Sequence, residues 1–127
     1  MAGQRPRDTI NQLMDAINRK DLESALALYE PNAIFMPEPG KHVKGKEAIR
    51  PVLAGFIALN PTLRGETDQT IEHGDTALFY SKWSLTGTGP DGKPVQMSGV
   101  SSDILKRQTD GKWLIAIDNP WGTSILA

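Results

Sequence analysis

The predicted fold is organised around the stretch Lys112-Trp113-Leu114-Ile115-Ala116-Ile117-Asp118-Asn119-Pro120-Trp121-Gly122. This stretch follows Asp110-Gly111, a dipeptide typical of a tight hairpin turn. It continues as an apolar run and ends on an acid, an amide and a tryptophan. We expect 112–118 to be the last strand of the domain and to form one wall of a ligand pocket.

Length and composition limit the classes of protein that this chain can represent. Its 127 residues predict one domain, which buries roughly two-thirds of the surface of the unfolded chain. The 14 Lys and Arg residues nearly balance 15 Asp and Glu, so we expect no nucleic-acid partner, which would need a basic surface. The absence of cysteine excludes disulfides and thiolate sites. The chain has no apolar signal core and no run of about 18 apolar residues, so we expect a cytoplasmic protein with no membrane partner. We expect the polar segment 1–7 to be disordered.

Apolar residues at the spacing of one helical face recur three times in the first half of the chain. Thr9 and Gln12 form a capping-box pattern before the first repeat. Asp21 can cap the second repeat, and Pro31 ends it. The predicted elements are a helix at about 9–19, a helix between Asp21 and Pro31, a strand at 33–36, a loop at 38–45 and a helix from about Lys46.

The second half of the chain has the pattern of strands. Turn residues at 73–75, 89–92 and 110–111 separate four segments and predict an antiparallel meander. The predicted strands are 63–73, 76–88, 94–108 and 112–118. Helices followed by a curved sheet predict an α+β fold in which the helices cover one face of the sheet.

The last turn predicts a pair of facing acids. If Asp110-Gly111 is a two-residue hairpin loop, Thr109 faces Lys112 and, further along the two strands, Asp103 faces Asp118. Facing residues have Cβ atoms about 4.5–5.5 Å apart. Two buried acids at this separation share a proton and can act as proton donor and acceptor near neutral pH. A three-residue loop would misalign them.

The neighbours of the two acids support a buried position. Met97, Gly99 and Ser101 lie on the same side as Asp103, and Ala116 lies on the side of Asp118. That side is mostly small or apolar. The alternative is that one or both acids point to solvent or pair with Lys or Arg.

The order and spacing of several segments resemble those of the nuclear transport factor 2-like superfamily, on its SnoaL-like and ketosteroid-isomerase-like side. The matching segments are 21–29 with Ala33 beyond, 45–50, 102–107 and 110–113, and the resemblance covers about 9–122. It implies a cone in which three N-terminal helices pack in a curved antiparallel sheet around a deep, mostly apolar pocket. It also implies a homodimer formed through the outer face of the sheet.

The resemblance assigns roles to some residues. Asp103 lies where ketosteroid isomerases have the pocket acid that donates a hydrogen bond to the substrate oxygen. In those enzymes an apolar site keeps this carboxyl protonated. Four residues fall at pocket-lining places: Val52, Phe79, Trp83 and Ala116.

Other family positions are changed in this chain. Leu13 replaces the tyrosine of the first helix, and Pro37 replaces the general base, with Glu38 one residue later as a displaced candidate. Ser101 replaces the arginine of the epoxide-hydrolase relatives. We therefore expect neither steroid isomerisation nor epoxide hydrolysis by those mechanisms.

The remaining candidates complete the predicted site. Trp121 is expected to close the pocket or to cover a dimer contact. The full predicted ligand-binding set is Met36, Val52, Phe56, Phe79, Trp83, Met97, Ser101, Ala116 and Trp121, and the catalytic set is Asp103, Asp118 and Glu38. His42 and His73 lack ligand-spaced partners, so no metal is expected. The basic cluster Lys41, Lys44, Lys46 and Arg50 either meets an anionic ligand or is a solvated edge.

Two functional hypotheses remain open. The first is a cofactor-independent isomerase, cyclase or lyase that binds a hydrophobic, carbonyl-bearing small molecule and uses Asp103 and Asp118 as acid and base. The alternative is a non-catalytic ligand-binding or dimeric assembly module with the same pocket. The changes at Leu13 and Pro37 support the alternative.

Overall fold

The computed structural model describes residues 3–126, in which three α-helices and six strands are followed by one 3₁₀ turn. The helices are α1 (Pro6–Asn18), α2 (Leu22–Leu26) and α3 (Lys46–Ile57), and the 3₁₀ turn is Gly122–Leu126. The strands are β1 (Tyr29–Glu38), β2 (Lys41–Lys44), β3 (Thr62–His73), β4 (Thr76–Thr88), β5 (Pro94–Arg107) and β6 (Trp113–Asp118).

The strands form one curved sheet in the order β2-β1-β6-β5-β4-β3, and the helices pack on its concave face. The α+β class and the cone-like architecture are confirmed. The sheet is mixed, however, because β1 pairs with β6 in parallel while the other neighbours are antiparallel. The prediction of antiparallel pairing applies only to strands that are joined by a turn. It does not apply to β1 and β6, which are separated by α3 and three long strands.

The predicted loop at 38–45 is wrong, since it contains β2. Phe35 pairs with Val43 and Ile34 with Lys44. The pattern did not predict a strand because β2 lies at the edge of the sheet and three of its four residues are exposed. Pro37 falls at the irregular point of this pairing, where a missing backbone N–H is tolerated.

The start of the chain is more ordered than predicted. α1 begins at Pro6, and the backbone N–H of Trp113 donates to the carbonyl of Gly3 at 3.0 Å. The prediction of disorder is therefore wrong for residues 3–7, while residues 1 and 2 lie outside the described part. Thr9 does not cap α1. Its buried hydroxyl accepts from the Gly3 N–H at 3.0 Å and donates to the Trp113 carbonyl at 2.7 Å.

The second helix starts as predicted and ends earlier. The Asp21 carboxylate accepts from the Ser24 N–H at 3.1 Å and caps α2. The helix ends at Leu26, so that Tyr29 enters β1 instead of continuing the helical face.

The core lies between α1, α3 and the concave face. Its helical side includes Ile17, Ile49 and Leu53, and its sheet side includes Leu105 and Trp113, all buried. None of the helices within residues 3–126 is long and apolar enough to cross a membrane.

Candidate functional site

Asp103 and Asp118 face each other because two irregularities cancel. The turn between β5 and β6 is longer than predicted: Gln108 donates its N–H to the Lys112 carbonyl at 2.7 Å, and Gly111 has φ 84°. This leaves a three-residue loop, 109–111, of the kind that ends with a residue in the left-handed region. The pairing is thereby shifted by one residue, and the expected two-residue loop is wrong.

A bulge in β6 restores the register. Leu105 pairs with Ile115, but Ile104 pairs with Ile117, so Ala116 is the extra residue. The next step along both strands brings Asp103 opposite Asp118. Both carboxyls are buried, with 4% and 7% of the residue surface exposed. The predicted facing is therefore present, although the loop on which the prediction rested is not.

Each carboxyl has a separate hydrogen-bond donor. The Tyr29 hydroxyl donates to Asp118 Oδ2 at 2.6 Å, and the backbone N–H of Asn119 donates to Asp103 Oδ1 at 2.9 Å. Tyr29 reaches the pair because the parallel pairing of β1 with β6 sets it beside Ile115. Its side chain is fully buried.

The surroundings of the pair separate the roles of the two acids. Burial, and next the charge of Asp118, raise the pKa of Asp103 well above its usual range. Burial raises the pKa of Asp118 to about 6, and hydrogen bonds from Tyr29 and Asp103 oppose this rise. Because two facing, buried carboxyls repel each other when both are charged, the pair holds one proton between them near neutral pH. The stronger rise at Asp103 favours Asp103 as the acid and Asp118 as the carboxylate.

The two acids lie in the wall of a cavity between the helices and the sheet. Its volume is about 670 Å³, a figure that includes the space at its opening to solvent. The helical wall is apolar and consists of Ile10, Leu13, Met14, Ile17, Leu53 and Phe56. Such a mostly apolar cavity with a few convergent polar groups is typical of a small-molecule site.

The polar residues of the cavity form a row on the concave face of the sheet, which we call the polar strip. The polar strip consists of Tyr29 on β1, Asp118 on β6, Asp103 and Ser101 on β5, and Ser81 on β4. The hydroxyls of Ser81 and Ser101 are 2.9 Å apart and hydrogen-bonded to each other. Among the described residues that line the cavity, none is Lys, Arg or His.

The corner after β6 forms a further side of the cavity. Trp83 and Trp121 meet edge to face with ring centroids 5.5 Å apart. The Trp83 indole N–H donates to the Pro120 carbonyl at 2.7 Å, and that of Trp121 donates to the Met36 carbonyl at 3.0 Å. Gly99 allows this approach, because a Cβ there would lie 3.0 Å from the Pro120 oxygen.

The structure brings together six of the residues predicted for the site. Asp103, Asp118, Phe56, Trp83, Ser101 and Trp121 all line the cavity.

Six other predicted residues do not line it, and each has an identifiable place. Glu38 is exposed and forms an ion pair with Lys41 at 3.3 Å, so it does not face the cavity as a base. Phe79 is buried in the core, Val52 packs against the core, and Ala116 is the bulge residue. Met36 contributes a backbone carbonyl to Trp121. Met97 pairs with Leu85, two positions along β5 beyond Gly99.

Two polar residues of the site were missed from the sequence. Ser81 alternates with Phe79 and Trp83, so the strand period could have placed it on the concave face. Tyr29 had no local signal, because its partner Asp118 is 89 residues away in the sequence.

The histidines and the basic cluster lie outside the cavity. His42 and His73 are both exposed, and within residues 3–126 no group of three or more His, Cys, Asp or Glu could hold a metal ion. Arg50 forms ion pairs with Glu23 and, at 3.6 Å, with Glu47. The structure thus favours the solvated-edge interpretation of the basic cluster.

Comparisons with known proteins agree with this architecture. A model of the SnoaL-like domain matches residues 10–114, so the chain belongs to the SnoaL-like domain family. None of the curated proteins compared with the chain matches it in sequence.

Similar solved structures share the fold at low sequence identity. A nuclear transport factor 2-like superfamily protein from Salmonella enterica has a TM-score of 0.78 at 19% identity, covering 87% of this chain and 83% of its own. A provisionally assigned ketosteroid isomerase from Shewanella frigidimarina has a TM-score of 0.75 at 20% identity, covering 87% and 89%. A provisionally assigned scytalone dehydratase from Novosphingobium aromaticivorans has a TM-score of 0.79 at 13% identity, covering 88% and 77%.

Proposed function

We propose that this protein binds a small, mostly apolar molecule in the cavity and acts on it as a cofactor-independent isomerase, cyclase or lyase. The observation that carries the proposal is the buried, facing pair of Asp103 and Asp118 in an otherwise apolar cavity. The similarity in fold to proteins named as an isomerase and a dehydratase supports the same class of chemistry.

The pair provides both halves of a proton transfer. Asp118, as the carboxylate, removes a proton from the ligand, and Asp103 gives its proton to an oxygen of the ligand. The number of protons in the pair is unchanged, and because the two acids face each other, Asp118 can return its proton to Asp103 after turnover. The apolar helical wall lowers the polarity of the medium beside the reacting groups, which strengthens their electrostatic interaction.

The proposal is tested in two stages. A thermal-shift screen against steroids, polyketides, terpenes and small carbonyl acids identifies ligands, since a ligand at about 100 times its dissociation constant stabilises the fold by about 2.7 kcal/mol. Ligands that bind are then incubated with the wild type, Asp103→Asn and Asp118→Asn. We expect each substitution to abolish turnover while the far-ultraviolet circular dichroism stays unchanged. Full turnover in both variants contradicts the proposal.

A non-catalytic binding or assembly module is the second candidate. Glu38 is directed to solvent, and Leu13 lines the cavity in place of a hydroxyl-bearing side chain. This candidate predicts a retained ligand that is recovered chemically unchanged, and wild-type affinity after either Asp is replaced.

We also propose a homodimer formed through the outer face of the sheet. Five apolar side chains on adjacent strands form a continuous row there, the outer row, consisting of Ile34, Ile117, Ile104, Leu78 and Ile71. Val100 and Ile71 expose about half of their surface, and exposed apolar clusters of this kind typically mark an interface. Light scattering should give twice the mass of the chain, and a strict monomer contradicts the dimer.

The remaining partner proposals follow from composition. The near balance of charge supports a protein without a nucleic-acid partner. A chain without cysteine is compatible with a reducing compartment, so we place the protein in the cytoplasm.

A further inference from the structure

The protein already uses most of the hydrogen-bond donors that lie around the cavity. The hydroxyl proton of Tyr29 is engaged by Asp118 Oδ2, and one of the two serine protons is engaged between Ser81 and Ser101. The indole N–H groups of Trp83 and Trp121 both donate to backbone carbonyls. A ligand in this cavity therefore meets few free donors.

Acceptors, in contrast, remain available. A carboxylate oxygen and a hydroxyl oxygen each have two lone pairs. The two carboxyls are hydrogen-bonded to each other, and Ser101 is hydrogen-bonded to Asp103. The four carboxyl oxygens still have more lone pairs than these bonds and those from Tyr29 and Asn119 occupy, and the serine oxygens keep lone pairs as well. Against these acceptors the polar strip offers few protons, because one serine proton lies between Ser81 and Ser101, Ser101 is also bonded to Asp103, and the two acids share their proton with each other.

The charge of the cavity has the same consequence. With one shared proton the pair carries a single negative charge, and α1 and α3 present only apolar side chains to it. No cation among the described lining residues balances this charge. An anionic ligand would meet an uncompensated like charge in a medium of low polarity, which is unfavourable.

We propose that the polar strip selects small apolar ligands whose polar group is a hydrogen-bond donor, such as a hydroxyl or an ammonium group, and that it rejects carboxylates. This inference rests on the proposed function because it takes the cavity as the ligand site. It differs from the carbonyl-bearing ligand expected from the family resemblance, since a ketone can only accept.

The inference is tested with five compounds that share one hydrocarbon skeleton. Indane, 2-indanol, 2-aminoindane, 2-indanone and indane-2-carboxylate are titrated into the full chain at pH 7.5, by calorimetry and by the fluorescence of Trp83 and Trp121. We expect 2-indanol and 2-aminoindane to bind at least about tenfold more tightly than 2-indanone, because a hydrogen bond to a charged group typically contributes that much. Indane-2-carboxylate should bind more weakly than indane itself.

The outcomes separate the inference from the proposed function. If 2-indanone binds as tightly as 2-indanol, or the carboxylate binds more tightly than indane, the donor preference is wrong and the cavity remains a ligand site. If neither indane nor any of its four derivatives binds at millimolar concentration, the proposed ligand-binding function fails, and the inference fails with it.

Two substitutions test whether the polar strip causes the preference. Asp118→Asn keeps the shape and replaces an acceptor by a donor, so the advantage of 2-indanol over 2-indanone should fall below about threefold. The double variant Ser81→Ala, Ser101→Ala removes the serine acceptors and should reduce the same ratio, which keeps the test decisive if Asp118→Asn does not fold. Asp15→Asn, a surface acid paired with Arg19, is the matched control and should leave the ratio unchanged. An unchanged ratio in both strip variants overturns the inference.

Discussion

Around Ser101 and Asp103 the two faces of the sheet reverse the usual distribution of polar and apolar side chains. On β5, Ser101 and Asp103 point toward the helices and are buried, whereas Val100 points outward and exposes 51% of its surface. An antiparallel sheet normally buries apolar side chains on the core face and exposes polar ones on the other. The reversal is local, because Leu105 follows the usual rule further along the same strand.

The difference shows which parts of the sheet are devoted to folding and which are available for binding. Buried polar groups cost free energy unless they are hydrogen-bonded, and exposed apolar groups gain nothing in a free monomer. A stretch of sheet that has both buried polar groups and exposed apolar groups departs from the pattern that stabilises a fold. Such departures are expected at functional sites. This local reversal supports the two proposals made above, a ligand on the inner face and a second copy of the chain on the outer face.

The two tyrosines provide the strongest test of this comparison. Tyr29 is fully buried on the inner face, while Tyr80 exposes 39% of its surface on the outer face. Tyr29→Ala should lower the free energy of unfolding by about 3–5 kcal/mol, because it leaves a cavity in the core. Tyr80→Ala should change it by less than about 1 kcal/mol. Urea unfolding measures both values, and equal losses would show that the faces do not differ as described.

The pH dependence of stability tests the buried acid on the inner face. The pKa of Asp118 is about 6 in the folded protein, above about 3.9 for an unfolded aspartate. Between these values the folded state holds a proton that the unfolded state has lost, so stability falls as the pH rises through this window. The loss from Asp118 should reach about 2–3 kcal/mol by about pH 6. Asp103, whose pKa is also raised, extends the fall in stability to higher pH.

Asp118→Asn isolates this contribution from that of the other carboxyls. The difference in unfolding free energy between wild type and variant should change with pH between about 4 and 6, where Asp118 titrates in the folded and unfolded states. Any change at higher pH reports Asp103, whose pKa the charge of Asp118 raises. Asp15→Asn is the control, since its side chain is 68% exposed. A difference that does not depend on pH would show that the pKa of Asp118 is not raised in the folded protein.

The outer row is tested by placing a charge at its centre. Ile104 lies between Ile117 and Leu78 in the row, so Ile104→Lys would bury an ammonium group in the proposed interface. We expect the dissociation constant of the dimer to rise at least about thirtyfold, as for a central interface residue. Asn11→Lys, at an exposed position of α1, adds the same single charge outside the row and should leave the mass in sedimentation unchanged. Equal effects of the two variants would place the interface elsewhere.

The sequence predicted most of the strands but not their alignment. Turn residues located β3 to β6 within one or two residues, because Gly and Asp carry strong local signals. The alignment of β5 with β6 depended on Gly111, which extends the loop to three residues, and on the bulge at Ala116. An Ala inside an apolar run gives no sign of a bulge. The pairing of Asp103 with Asp118 was thus predicted by an argument in which two irregularities happened to cancel.

The parts of the site that were missed depend on contacts between distant residues. Tyr29 looked like the last residue of a helical face, since its helical spacing from Leu22 and Ala25 fits that pattern. Only the parallel pairing of β1 with β6 brings it to Asp118, and no turn connects these strands. Glu38 was predicted as a displaced base from its position in the chain alone. Its side chain instead pairs with Lys41 at the exposed edge of the sheet.

The smallest expected effect concerns the single hydroxyl that Tyr29 gives to Asp118. Tyr29→Phe keeps the ring, which packs 6.3 Å from that of Phe35, and removes only the 2.6 Å hydrogen bond. Because that bond favours the ionised carboxylate, its loss should raise the pKa of Asp118 by up to about one unit. The carbonyl ¹³C shifts of labelled aspartate side chains, assigned with Asp103→Asn and Asp118→Asn, measure this value. Tyr80→Phe is the matched control. If Tyr29→Phe leaves the pKa unchanged, the two acids alone determine where their proton lies, and β1 contributes only packing to the inner face.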